Sequence, residues 1–184
     1  AFFRSSARAH GIAVLFGVTI RGQGTPRARN MACVVTVRGN LVAQYQKMHL
    51  FSLAREQETF VPGNAITTFV INGVRMSIAI CYDLRFPGFF EAIARTRPHA
   101  VVIIADWAAA RIAHWDTLLR ARALDTASYV IGVNRVGEEP RITYNGHSSV
   151  YGPAGDRLLF LRGATVRTAT INRKTVEDRR AAFP

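Results

Sequence analysis

Two side chains capable of covalent chemistry stand at the ends of predicted strands. Cys81 ends the apolar run VRMSIAIC, Lys47 ends the run LVAQYQK, and Glu56 and Glu58 lie in the segment after Lys47. A cysteine inside a strand is usually a small buried hydrophobe, whereas one where the chain leaves a sheet is placed to react. Because a nearby ammonium stabilises a thiolate, we expect the Cys81 thiol to be shifted toward its anion. With a carboxylate to take the thiol proton, this set suits acyl transfer through a thioester.

Each of these residues also has an ordinary structural interpretation. Cys81 alone is more often a core residue, and Lys47 and the two glutamates would usually be solvated charges. His49, His114 and His147 are further candidate bases for a Cys–His pair, although a lone histidine is more often hydrogen-bonded structure. The spacing of these residues leaves the choice open.

The elements that must position these residues follow from apolar periodicity and turn signals. The segment 48–64, closed by Pro62-Gly63, is predicted as a functional loop, and Asn72-Gly73 as the turn of a hairpin. Strands are expected over 12–20, 31–37, 41–47, 66–71, 74–81, 100–105 and 129–134, with short strands and turns over 148–161 and 165–171. Helices are expected over 2–10, 88–97, 114–127 and from 173 onward. This mixture predicts a single α/β domain over residues 1–184 with a mixed sheet.

Composition argues against several classes of protein. The 184 residues are 49% hydrophobic with a formal net charge of +12, but the basic residues are dispersed and nearly all are arginine. Without an aromatic platform, finger or basic tail we expect no nucleic-acid partner, and a basic nucleic-acid-binding domain is the least favoured function. No apolar stretch suits a membrane span, so we expect a soluble, cytoplasmic protein. Cys33 and Cys81 form no CxxC, which predicts neither a metal site nor a disulfide framework.

Several motifs in order along the chain resemble one known group of enzymes. YQKMHLF, REQETFVPG, ICYDLRFP, HWDTLLRARALDTASYVIGVNRVG and NGHSSVYGPAGD are similar to motifs of the carbon–nitrogen hydrolases of the nitrilase superfamily. The motif CYDLRFP most resembles the branch of omega-amidases and deaminated-glutathione amidases. The resemblance implies an α-β-β-α sandwich with mixed sheets, a small amide substrate and a homodimer or higher homo-oligomer. It implies no cofactor and no metal.

The same resemblance implies roles for particular residues. Cys81 would be the nucleophile, Lys47 the cation that stabilises the oxyanion, and Glu56 the loop carboxylate that helps hold the lysine and the substrate. The backbone N–H of Tyr82 would complete the oxyanion hole. Glu58 is less favoured than Glu56 because of its offset from Pro62-Gly63.

On the substrate side the candidate residues are Arg85, Trp107 and Arg111. The positive charge of the chain would favour an anionic substrate, and Arg85 or Arg111 would pair with its carboxylate. The expected substrate is therefore a small linear carboxamide, such as the ω-amide of a dicarboxylic acid, hydrolysed to carboxylate and ammonia.

The sequence also departs from the pattern that it resembles. A general-base glutamate is expected in a strand-end motif upstream of the lysine, but no Glu precedes Lys47. We expect the segment that carries it, and the N-terminal part of the fold, to precede residue 1, and a C-terminal tail to lie beyond Pro184. Gly88, Asp106, Ala108 and the pair Thr126-Ala127 replace residues more usual in the pattern, which bears on specificity. The alternative function is therefore an incomplete or inactive relative that acts as a binding module.

Overall fold

Two β-sheets pack face to face in the computed structural model, which describes residues 1–22, 24 and 26–183. The strands are β1 (Val14–Arg21), β2 (Ala28–Val35), β3 (Leu41–Gln46), β4 (Thr68–Ile71), β5 (Val74–Ile80), β6 (Ala100–Ala105), β7 (Tyr129–Asn134), β8 (Val136–Glu139), β9 (Ile142–Tyr151) and β10 (Arg157–Arg162). The helices are α1 (Phe2–His10), α2 (Glu56–Thr59), α3 (Pro87–Arg95), α4 (Ile112–Thr126) and α5 (Arg173–Ala182).

The larger sheet has seven strands, in the order β10-β9-β7-β6-β5-β4 with β8 paired to β9. Its central strands β5, β6 and β7 run parallel, and the outer pairs are antiparallel. Carboxyl ends of neighbouring parallel strands meet at one edge of a sheet. Cys81 follows β5 and Asp106 follows β6, so the chain places both at that edge.

The smaller sheet is antiparallel, in the order β1-β2-β3. Its hairpin of β2 and β3 matches the predicted one, with Gly39 in the left-handed region at φ 75°. Lys47 comes directly after β3, so it leaves this sheet as Cys81 leaves the other.

Helices cover the outer faces of both sheets. Phe3 of α1 stacks on Phe16 of β1, with ring centroids 3.8 Å apart. On the other side, α4 lies so close to β7 that a Cβ at Gly132 would stand 2.5 Å from Leu119 Cδ1. Between the sheets, a Cβ at Gly17 of β1 would lie 3.1 Å from Ile104 Cδ1 of β6. The layers therefore form an α-β-β-α sandwich, which confirms the predicted fold class.

Most predicted elements are confirmed, including the Asn72-Gly73 hairpin, where both turn residues have positive φ as a type I′ turn requires. The predicted strand over 165–171 is wrong, since those residues form no strand. Strand β8 was not predicted, and β9 begins at Ile142 rather than at residue 148. The loop 48–64 contains a 3₁₀ turn, Ser52–Ala54, and the single turn of α2. Within the described residues, no helix is both long and apolar enough to cross a membrane.

Candidate active site

Cys81 lies at the point where β5 turns out of the larger sheet. It begins a 3₁₀ turn, Cys81–Arg85, and its backbone has φ 49°, which a residue with a Cβ rarely adopts. Such a conformation costs about 1–3 kcal/mol and persists only where the surrounding structure imposes it. The Cys81 thiol donates a long contact of 4.0 Å to the carbonyl oxygen of Asp106, at the end of the neighbouring strand. The strand exit therefore presents the sulfur at the sheet edge.

Lys47 is held by a carboxylate from the following segment. Its Nζ donates to both oxygens of Glu56, at 2.8 and 2.7 Å, and its side chain is only 1% exposed. The backbone N–H of Phe51 also donates to Glu56 Oε2 at 2.8 Å, which fixes the carboxylate against the loop. Because Glu56 takes two of the three ammonium N–H groups of Lys47, one N–H is left to stabilise a developing negative charge.

Two cavities meet at Cys81. The larger, of about 730 Å³, lies between the sheets, and Cys81, Lys47 and Glu56 all line it. The smaller, of about 280 Å³, is lined by Phe51, Leu53, Cys81, Tyr82, Arg85, Asp106, Trp107, Ala108 and Arg111. The structure thus brings the predicted nucleophile, lysine and loop carboxylate together, although their chemical roles stay predictions.

The Cys81 thiol is held in its neutral form. Burial raises its pKa to about 11, and the ammonium of Lys47 lowers it only in part. The charges of Glu56 and Asp106 raise the pKa further. The expectation of a thiol shifted toward its anion is therefore wrong in its net direction, because burial outweighs the nearby cation. At neutral pH this sulfur needs a base before it can attack.

The predicted substrate contacts lie together at the smaller cavity. Trp107 is 5% exposed and donates from its indole N–H to the carbonyl oxygen of Arg111 at 2.9 Å. The Arg111 guanidinium lies over the Phe51 ring, 5.1 Å from its centroid. Arg85 donates to His114 Nδ1 at 2.5 Å. Apolar walls with two guanidinium groups suit a short acyl chain that carries a negative charge.

Tyr82 also lines the smaller cavity, with its ring packed against Phe51 at 4.9 Å. Its backbone N–H belongs to the first turn of the 3₁₀ helix, where N–H groups lack partners within the helix. This placement is compatible with an oxyanion donor, and the donor role stays a prediction.

The other candidates are placed elsewhere. Glu58 pairs with Arg55 at 2.7 Å on the surface, and Cys33 is buried within β2. His147 pairs with Asp116 at 2.8 Å. Among the described residues that line the two cavities around Cys81, there is no histidine. No group of three or more His, Cys, Asp or Glu residues in the described ranges is placed to hold a metal ion.

Sequence reasoning missed a buried carboxylate beneath the site. Asp83 is fully buried and accepts hydrogen bonds from the Tyr45 hydroxyl at 2.7 Å and the Ile80 N–H at 2.9 Å. Its other oxygen accepts from the backbone N–H of His49 at 2.9 Å and pairs with the ring Nδ1 at 2.8 Å. An acidic residue two positions after the cysteine was the only sequence signal available.

A second missed residue, Asn134, holds the strand exit after β6. Its Oδ1 accepts from the N–H of Trp107 at 2.7 Å, and its Nδ2 donates to the carbonyl oxygens of Trp107 at 3.0 Å and of Gly146 at 2.7 Å. This buried amide fixes the backbone that presents the Asp106 carbonyl to the thiol.

Comparison with known proteins agrees with this geometry. A sequence profile described as carbon-nitrogen hydrolase matches residues 1–181. A "hydrolase in agr operon" of Staphylococcus lugdunensis is 37% identical over 84% of this chain and 68% of its own length. The 2-oxoglutaramate amidase of Bacillus subtilis is 30% identical over 84% of this chain and 59% of its own. The omega-amidase YafV of Escherichia coli K12 is 34% identical over 79% and 57%. The chain thus spans little more than half the length of the last two proteins.

Solved structures give the same result for the fold. XC1258 from Xanthomonas campestris, a CN-hydrolase superfamily protein, matches with a TM-score of 0.90 and 31% identity, over 100% of this chain and 71% of its own. A mutant of the amidase from Nesterenkonia sp. AN1, with the acetamide moiety of fluoroacetamide bound covalently to its active-site cysteine, matches with a TM-score of 0.80 and 29% identity. That match covers 87% of this chain and 62% of the amidase. Sequence profile, relatives and fold agree: the chain belongs to the carbon-nitrogen hydrolase family of the nitrilase superfamily.

Proposed function

We propose that the protein hydrolyses the C–N bond of a small linear carboxamide, such as the ω-amide of a dicarboxylic acid, through a thioester on Cys81. The observation that carries this proposal is the shared cavity, which is lined by the thiol and by the ion pair of the buried Lys47 with Glu56. The activities named for two relatives, a 2-oxoglutaramate amidase and an omega-amidase, support the same substrate class.

The reaction proceeds in two steps. The Cys81 sulfur loses its proton and attacks the amide carbon, and the tetrahedral oxyanion faces the Lys47 ammonium and the Tyr82 N–H. The C–N bond then breaks, and the nitrogen leaves as ammonia with the transferred proton. Water next attacks the thioester carbon, which releases the carboxylic acid and restores the thiol.

Both steps require a base. With a pKa of about 11, the thiol is protonated at neutral pH, and the deacylating water must also lose a proton. Residues 1–46 contain no Asp or Glu. The resemblance implies a strand-end glutamate in this role, and Glu56 holds the lysine instead.

The smaller cavity favours a short acyl chain that ends in a carboxylate. Phe51, Leu53 and Trp107 give it apolar walls, and Arg85 and Arg111 supply charge-assisted donors. In the proposed complex the amide lies at Cys81 and the distal carboxylate meets a guanidinium.

The substrate class is tested with Arg111→Gln. The variant should raise KM for an ω-amide of a dicarboxylic acid about 10-fold or more, because a hydrogen bond to a charged group contributes about 1.5–3 kcal/mol. An uncharged aliphatic amide of the same length should be hydrolysed as before. Arg38→Gln, in the exposed β2–β3 turn, is the matched control. Equal losses on the two amides would contradict the carboxylate contact.

An inactive, substrate-binding relative is the second candidate, and the lack of any carboxylate before Lys47 favours it. It predicts amide binding by calorimetry with no release of ammonia. The homodimer implied by the resemblance is likewise a proposal, and light scattering of the purified protein measures it directly.

A further inference from the structure

We propose that Asp83 is a positioning residue that sets the spacing between Cys81 and Lys47, a role that rests on the proposed amide hydrolysis at that pair. Neither the comparisons nor the motif resemblance assigns it a part in the reaction. The inference rests on the four hydrogen bonds of Asp83, which reach residues next to both Lys47 and Cys81.

The Asp83 carboxylate links the two strand exits, the points where the chain leaves β3 at Lys47 and β5 at Cys81. One oxygen, Oδ2, accepts from the N–H of Ile80, directly before Cys81, and from the Tyr45 hydroxyl, two residues before Lys47. The other, Oδ1, is bonded to both the backbone N–H and the ring Nδ1 of His49, two residues after Lys47. The exits belong to different sheets, so this carboxylate bridges the sandwich at the site.

Burial makes this bridge stiff. Asp83 and Tyr45 are both 0% exposed, so water cannot replace a lost partner. Burial and the charge of Asp83 raise the pKa of Tyr45, so its hydroxyl remains a donor at every working pH. The His49 ring stacks on Phe86, with centroids 3.8 Å apart, which fixes the Nδ1 that meets the carboxylate. Short hydrogen bonds to a buried carboxylate are stronger than hydrogen bonds between neutral groups.

The position requires a carboxylate rather than an amide. The backbone N–H groups of Ile80 and His49 face different oxygens of Asp83, and neither can become an acceptor. An asparagine has one acceptor oxygen and one donor nitrogen. Whichever way an amide is turned at position 83, one of the two strand exits faces its NH₂ group and loses its bond.

The test compares Asp83→Asn and Tyr45→Phe with the unchanged protein. Asp178→Asn is the matched control, since Asp178 is exposed and pairs with Lys174 on α5, away from the strand exits. For each variant, kcat and KM on one small amide, the rate of Cys81 alkylation by iodoacetamide against pH, and the thermal unfolding midpoint are measured.

We expect Asp83→Asn to lower kcat about 10²-fold with little change in KM, as a small misplacement of reacting groups does. The alkylation profile of Cys81 should move to higher pH, because a displaced Lys47 offsets less of the burial. Tyr45→Phe should show the same pattern more weakly, and Asp178→Asn should show neither change.

A folded Asp83→Asn variant with unchanged kcat and alkylation profile would overturn the proposal, even if it melted at a lower temperature. If Asp83→Asn does not fold, Tyr45→Phe is the deciding variant. An unchanged kcat and an unchanged alkylation profile of Cys81 in Tyr45→Phe would also overturn the proposal. If neither the unchanged protein nor one extended upstream to include a strand-end glutamate releases ammonia from any amide, the proposed function fails. The alkylation profile still tests whether Asp83 positions the two groups.

Discussion

Cys81 joins two features that are unfavourable for an ordinary residue, a left-handed backbone and a thiol whose pKa is raised by burial and by the charges of Glu56 and Asp106. Both are explained if the sulfur must project from a sheet edge and remain protonated until a base removes its proton. The residue types predicted which side chains would lie together, since Lys47, Glu56 and Cys81 all line one cavity. The sign of the pKa shift could not be predicted, because the extent of burial is a property of the folded chain.

The pKa of about 11 gives a pH prediction with a defined sign. Iodoacetamide alkylates the thiolate, so the rate at Cys81 should rise about tenfold per pH unit through the mildly alkaline range. Lys47 lowers this pKa, so Lys47→Met should slow alkylation at a fixed pH, whereas Lys174→Met should not. Peptide mass mapping separates Cys81 from Cys33. A rate that is fast and flat from pH 6 to 8 would show a thiolate and contradict the assignment.

At the scale of elements, the segment after β3 places Glu56 against Lys47. Its two ends are tied together, because the N–H of Gly63 donates to the carbonyl oxygen of Lys47 at 2.8 Å. A Cβ at Gly63 would lie 2.3 Å from the carbonyl oxygen of Gln46, a backbone atom that cannot move aside easily. A side chain larger than that of glycine therefore does not fit at position 63, where the end of the segment contacts the end of β3.

Gly63→Ala should lower the free energy of unfolding by about 1–3 kcal/mol, the usual cost of overpacking. It should also lower amide turnover, because the clash displaces the end of β3 next to Lys47. Denaturant unfolding and steady-state ammonia release measure the two effects. Gly88→Ala is the control for stability, since a Cβ at Gly88 would meet no heavy atom within 4 Å. Equal stability of the two variants would contradict this account of the segment.

Elements with strong local signals could be predicted from the sequence, and those that depend on distant partners could not. Asn72-Gly73 and the continuous apolar run of β6 fix their own structure. A short strand was expected within 165–171, but a strand also needs a hydrogen-bonded neighbour, and none is present among the described residues. Strand β8, with the polar sequence VGEE, exists through its pairing with β9. The bridge through Asp83 joins residues 38 positions apart, beyond the reach of any local pattern.

For the whole molecule, the proposed reaction depends on the arrangement of the two sheets, because Lys47 and Cys81 lie where their strands end. Lys47 comes from one sheet and Cys81 from the other, and the cavity of about 730 Å³ lies between them. No Asp or Glu occurs before Lys47, so residues 1–46 cannot supply the expected carboxylate base.

Residues 1–184 alone should therefore turn over an amide about 10²–10⁴-fold more slowly than a protein extended upstream to include a strand-end glutamate. Ammonia release by the two proteins under the same conditions measures this difference. Replacement of the upstream glutamate by glutamine should return the extended protein to the lower rate. Full turnover by residues 1–184 alone would instead place the base within them.

The mass of the acyl-enzyme tests the proposed thioester on Cys81 directly. The protein is incubated with a panel of small ω-amides and uncharged amides, quenched in acid and analysed by intact and peptide mass spectrometry. We predict an acyl adduct on the peptide that contains Cys81, retained in Cys33→Ala and absent from Cys81→Ala. Ammonia release without any adduct on Cys81, or with unchanged turnover in Cys81→Ala, would contradict a cysteine thioester mechanism.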